Sequence, residues 1–201
     1  MPCDLSAMLL AAGRSSRMGR CKQLLPLAGQ PTIVRCIQTL VAAGITDIVV
    51  VTGANADQIE AAVQHLPVRT VRNPDPDGDM ASSVIAGLRA VHECCRGVMI
   101  CLADQPLVST ASCRRLLEQH ANAPGRITIP LFEGKKGHPV ILPLNLAAEL
   151  ETGGTLRDVI SRHQDLVQLV EVSDRGVMLD MDTPEDYDEF ERLVREQTNR
   201  A

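Results

Sequence analysis

Short apolar runs alternate along this chain with segments of helical period. Residues 5–11, LSAMLLA, form a continuous apolar stretch ahead of Gly13 and predict a buried strand. Ile33, Cys36, Ile37, Leu40 and Val41 then recur at three- and four-residue spacing, one face of a helix that Gly44 ends. DIVVVTG (47–53) predicts a second strand, apolar on both faces. Asn55, with Gln58 three residues on, predicts an N-capped helix running to Gln64. VRTVRN (68–73) reads as a third strand, residues 80–94 as a helix after the loop PDPDGD, and GVMICLA (97–103) as a fourth strand ending at Asp104-Gln105-Pro106.

A helix from Thr110 to His120 leads into RITIP (126–130). Strands buried on both faces and alternating with helices specify an α/β protein, here a three-layer α/β/α sandwich with a doubly wound, mostly parallel sheet. LFEGKKGHPVILP predicts a small β excursion near 131–143 around its Gly-Lys-Lys-Gly turn. Helices follow near 144–150 and 155–163, and VQLVEV (167–172) and GVMLDMD (176–182) read as late strands. TPEDYDEFERLVREQ is a terminal helix with Thr183 as N-cap and Pro184 in its first turn. No repeat, low-complexity tract or linker interrupts the pattern, so residues 1–201 are expected to form one domain.

Composition narrows the function. With 201 residues, 45% of them apolar, the chain can bury one substantial core. A formal charge of −5 argues against a broad attraction to nucleic acid or to an anionic membrane. Phe132, Tyr187 and Phe190 are the only aromatic residues, which leaves little for stacking bases of a polynucleotide. No apolar run nears the roughly 18 residues of a spanning helix. LSAMLLAA lacks a preceding basic segment, so it reads as a strand rather than a leader. The cysteines (Cys3, Cys21, Cys36, Cys94, Cys95, Cys101 and Cys113) are odd in number and form no C-x-x-C pair, arguing against a zinc site or a disulfide framework. A reduced, cytoplasmic protein is the expectation.

Against this acidic background, Arg14, Arg17, Arg20 and Lys22 crowd a loop punctuated by Gly13 and Gly19. The loop follows the first strand, where open parallel sheets bind ligands, and its small residues let backbone amides approach a phosphate. Its spacing is neither that of a P-loop nor G-x-G-x-x-G, and the latter absence speaks against a nicotinamide-dependent oxidoreductase. Asp104 ends the fourth strand, beside this loop if the two strands are near neighbours. Strand alternation over GVMLDMD would put Asp180 and Asp182 on one face. Two carboxylates opposite a cationic loop suit a metal-bound nucleoside triphosphate.

These residues also resemble a known family. LLAAGRSSRMGRCKQLLPL is similar to the L-A-[AG]-G-x-S-x-R-M-G-x-x-K signature of the sugar- and cofactor-nucleotidyltransferases, and within them to the molybdenum cofactor cytidylyltransferases and their MobA-like relatives. NPDPDGDMASSVIAGL, LADQPL, GHPVIL and DMDTPEDY extend the resemblance over nearly the whole chain. It implies a Rossmann-like nucleotidyltransferase that passes CMP from CTP to molybdopterin or its molybdenum form, with Mg2+, releasing pyrophosphate. It also implies roles for single residues. Leu10, Ala11, Ala12, Gly13 and Arg14 would meet the nucleotide, Arg17 and Lys22 would grip the phosphates catalytically, and Gly78 and Ser83 would help recognise the base. Asp104 would act in catalysis, nucleotide binding and metal binding, with Asp182 as second metal ligand and Asp180 the weaker candidate for that place. His138 would serve the pterin acceptor, and a molybdoenzyme or its chaperone would be the downstream partner. Ala12 stands where guanylyltransferases of the group carry glycine and favours CTP. GTP, another phosphorylated acceptor, or a non-catalytic pterin or nucleotide carrier are the alternatives.

Overall fold

The alternating pattern folds as a sheet with helices on both faces. The computed structural model describes residues 4–75, 78–92 and 94–198. Strand β1 (Leu5–Ala11) leads through a long loop and the short β2 (Pro26–Leu27) and β3 (Gln30–Pro31) into helix α1 (Thr32–Ala42). Next come β4 (Ile48–Thr52), α2 (Ala56–Val63), β5 (Arg69–Arg72), α3 (Met80–Leu88) and β6 (Gly97–Leu102). The remainder is α4 (Thr110–Asn122), β7 (Ile127–Phe132), β8 (Lys135–Lys136), β9 (Val140–Pro143), α5 (Leu144–Ala147), α6 (Leu156–Arg162), β10 (Val167–Glu171) and α7 (Pro184–Thr198).

The sheet order is β10-β7-β9-β6-β1-β4-β5, with β8 paired to β7 and with β2 and β3 forming a separate ribbon. From β1 the chain builds outward through β4 and β5, then returns to the other side of β1 as β6. The order therefore reverses between β1 and β6, which are direct parallel neighbours paired from Leu5–Gly97 to Leu10–Leu102. The β excursion enters the sheet itself, because β9 lies between β6 and β7 and runs antiparallel to both.

Each face has its own core. Ile33, Ile37 and Leu40 of α1 and Leu116 of α4 pack on Ala7, Leu9 and Met99 on one side. Val84, Leu146 and Val159 meet Met8, Val49 and Ile100 on the other. A third, small cluster joins Met18, Leu25 and Leu27 to Met181, Phe190 and Val194, fastening the loop after β1 to α7.

Several sequence expectations are corrected. Val41 is 41% exposed, the inner stripe of α1 running instead through Ile33, Ile37 and Leu40. Asn55 makes no side-chain cap, since its ψ of 29° departs from the extended conformation that capping requires. Helix α3 stops at Leu88 rather than 94, closed by turns in which Ala90 N donates to Gly87 O and Val91 N to Leu88 O. Residues 144–150 divide into α5 and a 3-10 turn over Ala148–Thr152.

GVMLDMD is not a strand. Arg175–Met178 form a 3-10 turn because Asp174 bonds Gly176 N at 2.9 Å as well as Ser109 N and the Ser112 hydroxyl of α4. Gly176 then lies so close to Leu107 that an added Cβ would stand 2.2 Å from its carbonyl oxygen. Thr183 does cap α7: its hydroxyl accepts from Asp186 N, and the Asp186 carboxylate accepts from Thr183 N. Cys21, Cys36, Cys94, Cys101 and Cys113 are free thiols. Cys3, Pro76, Asp77 and Glu93 lie outside the described residues, as do Met1, Pro2 and 199–201. Among the described residues no helix is long and apolar enough to cross a membrane.

Candidate active site

The loop leaving β1 is folded by its own polar side chains. Ser15 has φ +55° and Gly19 φ +69°, and the Ser15 carbonyl accepts from Met18 N and Gly19 N, turning the chain back on itself. The Ser15 hydroxyl accepts from Lys22 N at 3.1 Å and donates to Gln23 Oε1 at 3.3 Å. At the end of β4, Gly53 leaves room for the loop: a Cβ there would stand 2.6 Å from the Ala12 carbonyl oxygen.

This fold aims Lys22 inward. The side chain is buried, and its Nζ donates to Asp104 Oδ2 at 2.5 Å and to Asp182 Oδ1 at 2.8 Å. Arg17, largely exposed, reaches Asp182 Oδ2 at 2.7 Å. Asp104 stands just past β6, and its carbonyl accepts from Met181 N at 2.9 Å, which ties the Asp180–Asp182 segment to this corner. Burial opposes the Lys22 charge, yet the two carboxylates outweigh it and hold its pKa above the ordinary lysine value. The hydrogen bond from Lys22 leads the effects that keep the Asp182 carboxyl below its usual range.

Beside this cluster opens a cleft of about 380 Å³. Leu10 of β1, Ala12, Gly13 and Arg14 from the first loop, Gly78 and Ser83 at the start of α3, and Lys22 and Asp104 all line it. The structure thus brings together most of the predicted nucleotide-binding residues. Ala11 is buried in the core and can offer a ligand only its backbone. Ser83 is buried too, its hydroxyl accepting from the Asn73 amide at 3.1 Å and facing the Asp79 carbonyl.

Other residues stand apart from the cleft. Asp180 does not share Lys22; its Oδ1 accepts from Gln105 Nε2 at 2.8 Å, leaving Asp182 as the partner of Asp104. Arg20 sits over the Tyr187 ring, 5.8 Å from its centroid, so of the four loop cations only Arg14 and Lys22 line the cleft. His138 follows β8, with its backbone N–H bonded to the Val177 carbonyl at 3.0 Å and its buried Nε2 without a partner among the described residues. Burial lowers its pKa against the pull of Asp180 and Asp104, so the imidazole is neutral at pH 7.

Sequence reasoning missed Gln23, Asp79, Met80 and Leu102, which also line the cleft. All four lie inside the quoted motifs, so position was a usable signal. Among the described residues no three His, Cys, Asp or Glu side chains gather as a metal cage. Asp104 and Asp182 offer two hard carboxylates, a donor set that fits a magnesium-type ion completing its shell with phosphate and water oxygens.

A parallel sheet with a polar cleft at its switch point, walled by a cationic glycine loop, defines a nucleotide-handling α/β protein. The chain belongs to the MobA-like NTP transferase domain family, whose model matches residues 7–167. It is 34% identical over 197 residues to nicotine blue oxidoreductase of Paenarthrobacter nicotinovorans, covering 92% of this chain and 95% of that protein. Among solved structures it superimposes on a nucleotidyl transferase from Methanothermobacter with a TM-score of 0.84 and 26% identity, covering 96% of this chain and 98% of that one. It also shares its fold with Rv0371c of Mycobacterium tuberculosis, solved in complex with manganese, at a TM-score of 0.76 and 24% identity over 94% of this chain and 99% of that one.

Proposed function

We propose that this protein transfers CMP from CTP to the phosphate of molybdopterin or its molybdenum form, releasing pyrophosphate. The observation that carries this reading is the convergence of Asp104 and Asp182 on buried Lys22 beside the cleft of the first loop and α3. Magnesium, held by Asp104 and Asp182, would supply charge neutralisation on the phosphates. The manganese in the Rv0371c complex belongs to a protein of the same fold and is compatible with such a requirement.

The chemistry needs no protein nucleophile. An oxygen of the acceptor phosphate attacks the α-phosphorus in line, and the bond to the leaving pyrophosphate breaks. The chain's part is positioning and charge. Lys22 and Arg14 face the phosphates, and loop amides from Ala11 to Gly13 approach them closely. Ala12 lines the cleft at the position where guanylyltransferases of the group carry glycine, which supports CTP over GTP. His138, neutral, would accept a hydrogen bond from the acceptor.

A second reading is favoured by one observation, the whole-length similarity to a protein named an oxidoreductase. In that case the cleft would hold a heterocycle for redox chemistry and Asp104 would serve structure alone. One experiment separates the readings: pyrophosphate release from CTP, GTP and ATP, with and without magnesium and molybdopterin, run alongside NADH and NADPH oxidation. Magnesium- and molybdopterin-dependent release from CTP is the expected result. Preference for GTP keeps the mechanism and changes the product. Nicotinamide oxidation without pyrophosphate release overturns the transferase reading.

A further inference from the structure

The cleft lining is chemically mixed. Arg14, Lys22, Asp79 and Asp104 carry charge, whereas Leu10, Leu102 and Met80 are apolar. Leu10 and Leu102 are register partners across β1 and β6, so their side chains stand together on one face of the sheet. Met80 opens α3 and is 49% exposed. The other strongly exposed large apolar residues described, Val41 and Leu169, do not line the cleft.

The backbone beneath Met80 is held firmly. Asp79 caps α3 by accepting from Ser82 N at 2.9 Å, and the buried Asn73 amide donates to the Ser82 and Ser83 hydroxyls at 2.9 and 3.1 Å. Met80 therefore presents a flexible thioether from a fixed point, an arrangement that costs apolar hydration unless a ligand covers it. A cleft that combines cationic side chains with apolar ones matches an amphipathic ligand, one with a phosphate tail and a flat, weakly polar ring.

We propose that Met80 packs against the face of the nucleobase and sets nucleotide affinity without choosing the base. The proposal rests on the nucleotide reading above and adds a residue that the family signature leaves unassigned. A polarizable sulfur contacts aromatic rings favourably, and a ring face offers no donor or acceptor pattern to discriminate. The contact is therefore blind to base identity, which must be read at the ring edge by other groups.

The test is calorimetric binding of CTP, GTP and inorganic tripolyphosphate, in magnesium and without acceptor, to wild type, Met80→Ala and Met80→Leu. Covering the exposed half of a methionine corresponds to roughly a five- to tenfold change in Kd. Met80→Ala is expected to weaken CTP and GTP by that factor alike and to leave tripolyphosphate unchanged, while Met80→Leu stays within about twofold of wild type because it retains the apolar bulk. CTP affinity unchanged in Met80→Ala overturns the proposal and leaves the nucleotide reading intact. A loss that extends equally to tripolyphosphate also overturns it, because the α3 cap would then have moved. Wild-type protein that binds tripolyphosphate but neither nucleotide overturns the nucleotide reading, and the Met80 assignment with it.

Discussion

Lys22 Nζ donates to Asp104 Oδ2 at 2.5 Å across 82 positions of sequence, and its second carboxylate partner, Asp182, comes from a segment 160 positions away. One buried ammonium thus bridges the two carboxylates best placed to hold a metal, with Arg17 as a second cation on Asp182. Any divalent ion taken by both carboxylates must compete with that lysine, so cation binding and the position of the Lys22 side chain are coupled. An ammonium released from this pair remains at the cleft that Gly13 and Arg14 also line.

Asp104→Ala should abolish magnesium-dependent turnover, lowering it by at least about a hundredfold, the scale for losing one preorganised charged group. The fold should survive, because the bond that ties this corner together uses the Asp104 backbone carbonyl rather than its side chain. Pyrophosphate release against magnesium concentration, with circular dichroism as the folding control, checks both parts. Normal turnover in the variant would remove the metal site.

Lys22→Ala should cost on the order of a hundred- to a thousandfold in rate. It also leaves Asp104 and Asp182 without their shared counter-charge, and breaking such a pair destabilises by more than the pair's net worth. The melting temperature should therefore fall, and magnesium should restore more of it in the variant than in wild type. Thermal scans at several magnesium concentrations report this directly. A rate equal to wild type would reduce the loop to a surface turn.

His120 makes the protein acid-sensitive from within. It is buried on α4 with no partner for Nδ1 among the described residues, and burial lowers its pKa below the ordinary value. The unfolded chain, protonating near pH 6.5, then binds more protons than the folded one. Stability should decline as pH falls below about 6.5 and continue to decline until the folded-state pKa is passed. Urea unfolding between pH 5 and pH 8 (an interval set by that reference value) should show a shallower slope in His120→Gln. His138, shifted in the same direction, contributes part of what remains.

The sheet was legible because its signals are local: β1, β4 and β6 are apolar runs whose ends are marked by glycine or by Asp104. Direct pairing of β1 with β6 turned two separate motifs into one corner, which no single stretch of sequence could show. GVMLDMD misled because its alternating pattern mimics a strand. The segment is instead held by Asp174 reaching across to α4, a long-range contact with no local signature. Asp180 and Asp182 also parted for a tertiary reason, one meeting Gln105 and the other Lys22. Met80 was hidden because an apolar residue in a helix reads as core until its exposure is known.

The segment proposed to face the acceptor gives a prediction in which two neighbouring residues behave differently. Gly137 is pressed against the 3-10 turn, so that an added Cβ would stand 2.3 Å from the Val177 carbonyl oxygen. Gly137→Ala must push the hairpin away from that turn, and overpacking of this kind costs about 1–3 kcal/mol. His138 bonds the same Val177 carbonyl through its backbone, a contact that survives replacement of the side chain. Its buried, unpartnered Nε2 stabilises nothing in the free protein, since an unsatisfied polar group is a cost. His138→Ala should therefore leave the melting temperature close to wild type while raising the acceptor KM about tenfold or more, the scale of one lost hydrogen bond to a buried partner, with CTP affinity unchanged. Gly137→Ala should lower the melting temperature and acceptor use together. Steady-state kinetics with acceptor and CTP varied separately distinguish the two patterns. Equal losses for both substrates in His138→Ala would assign the histidine to the frame of the hairpin rather than to the acceptor.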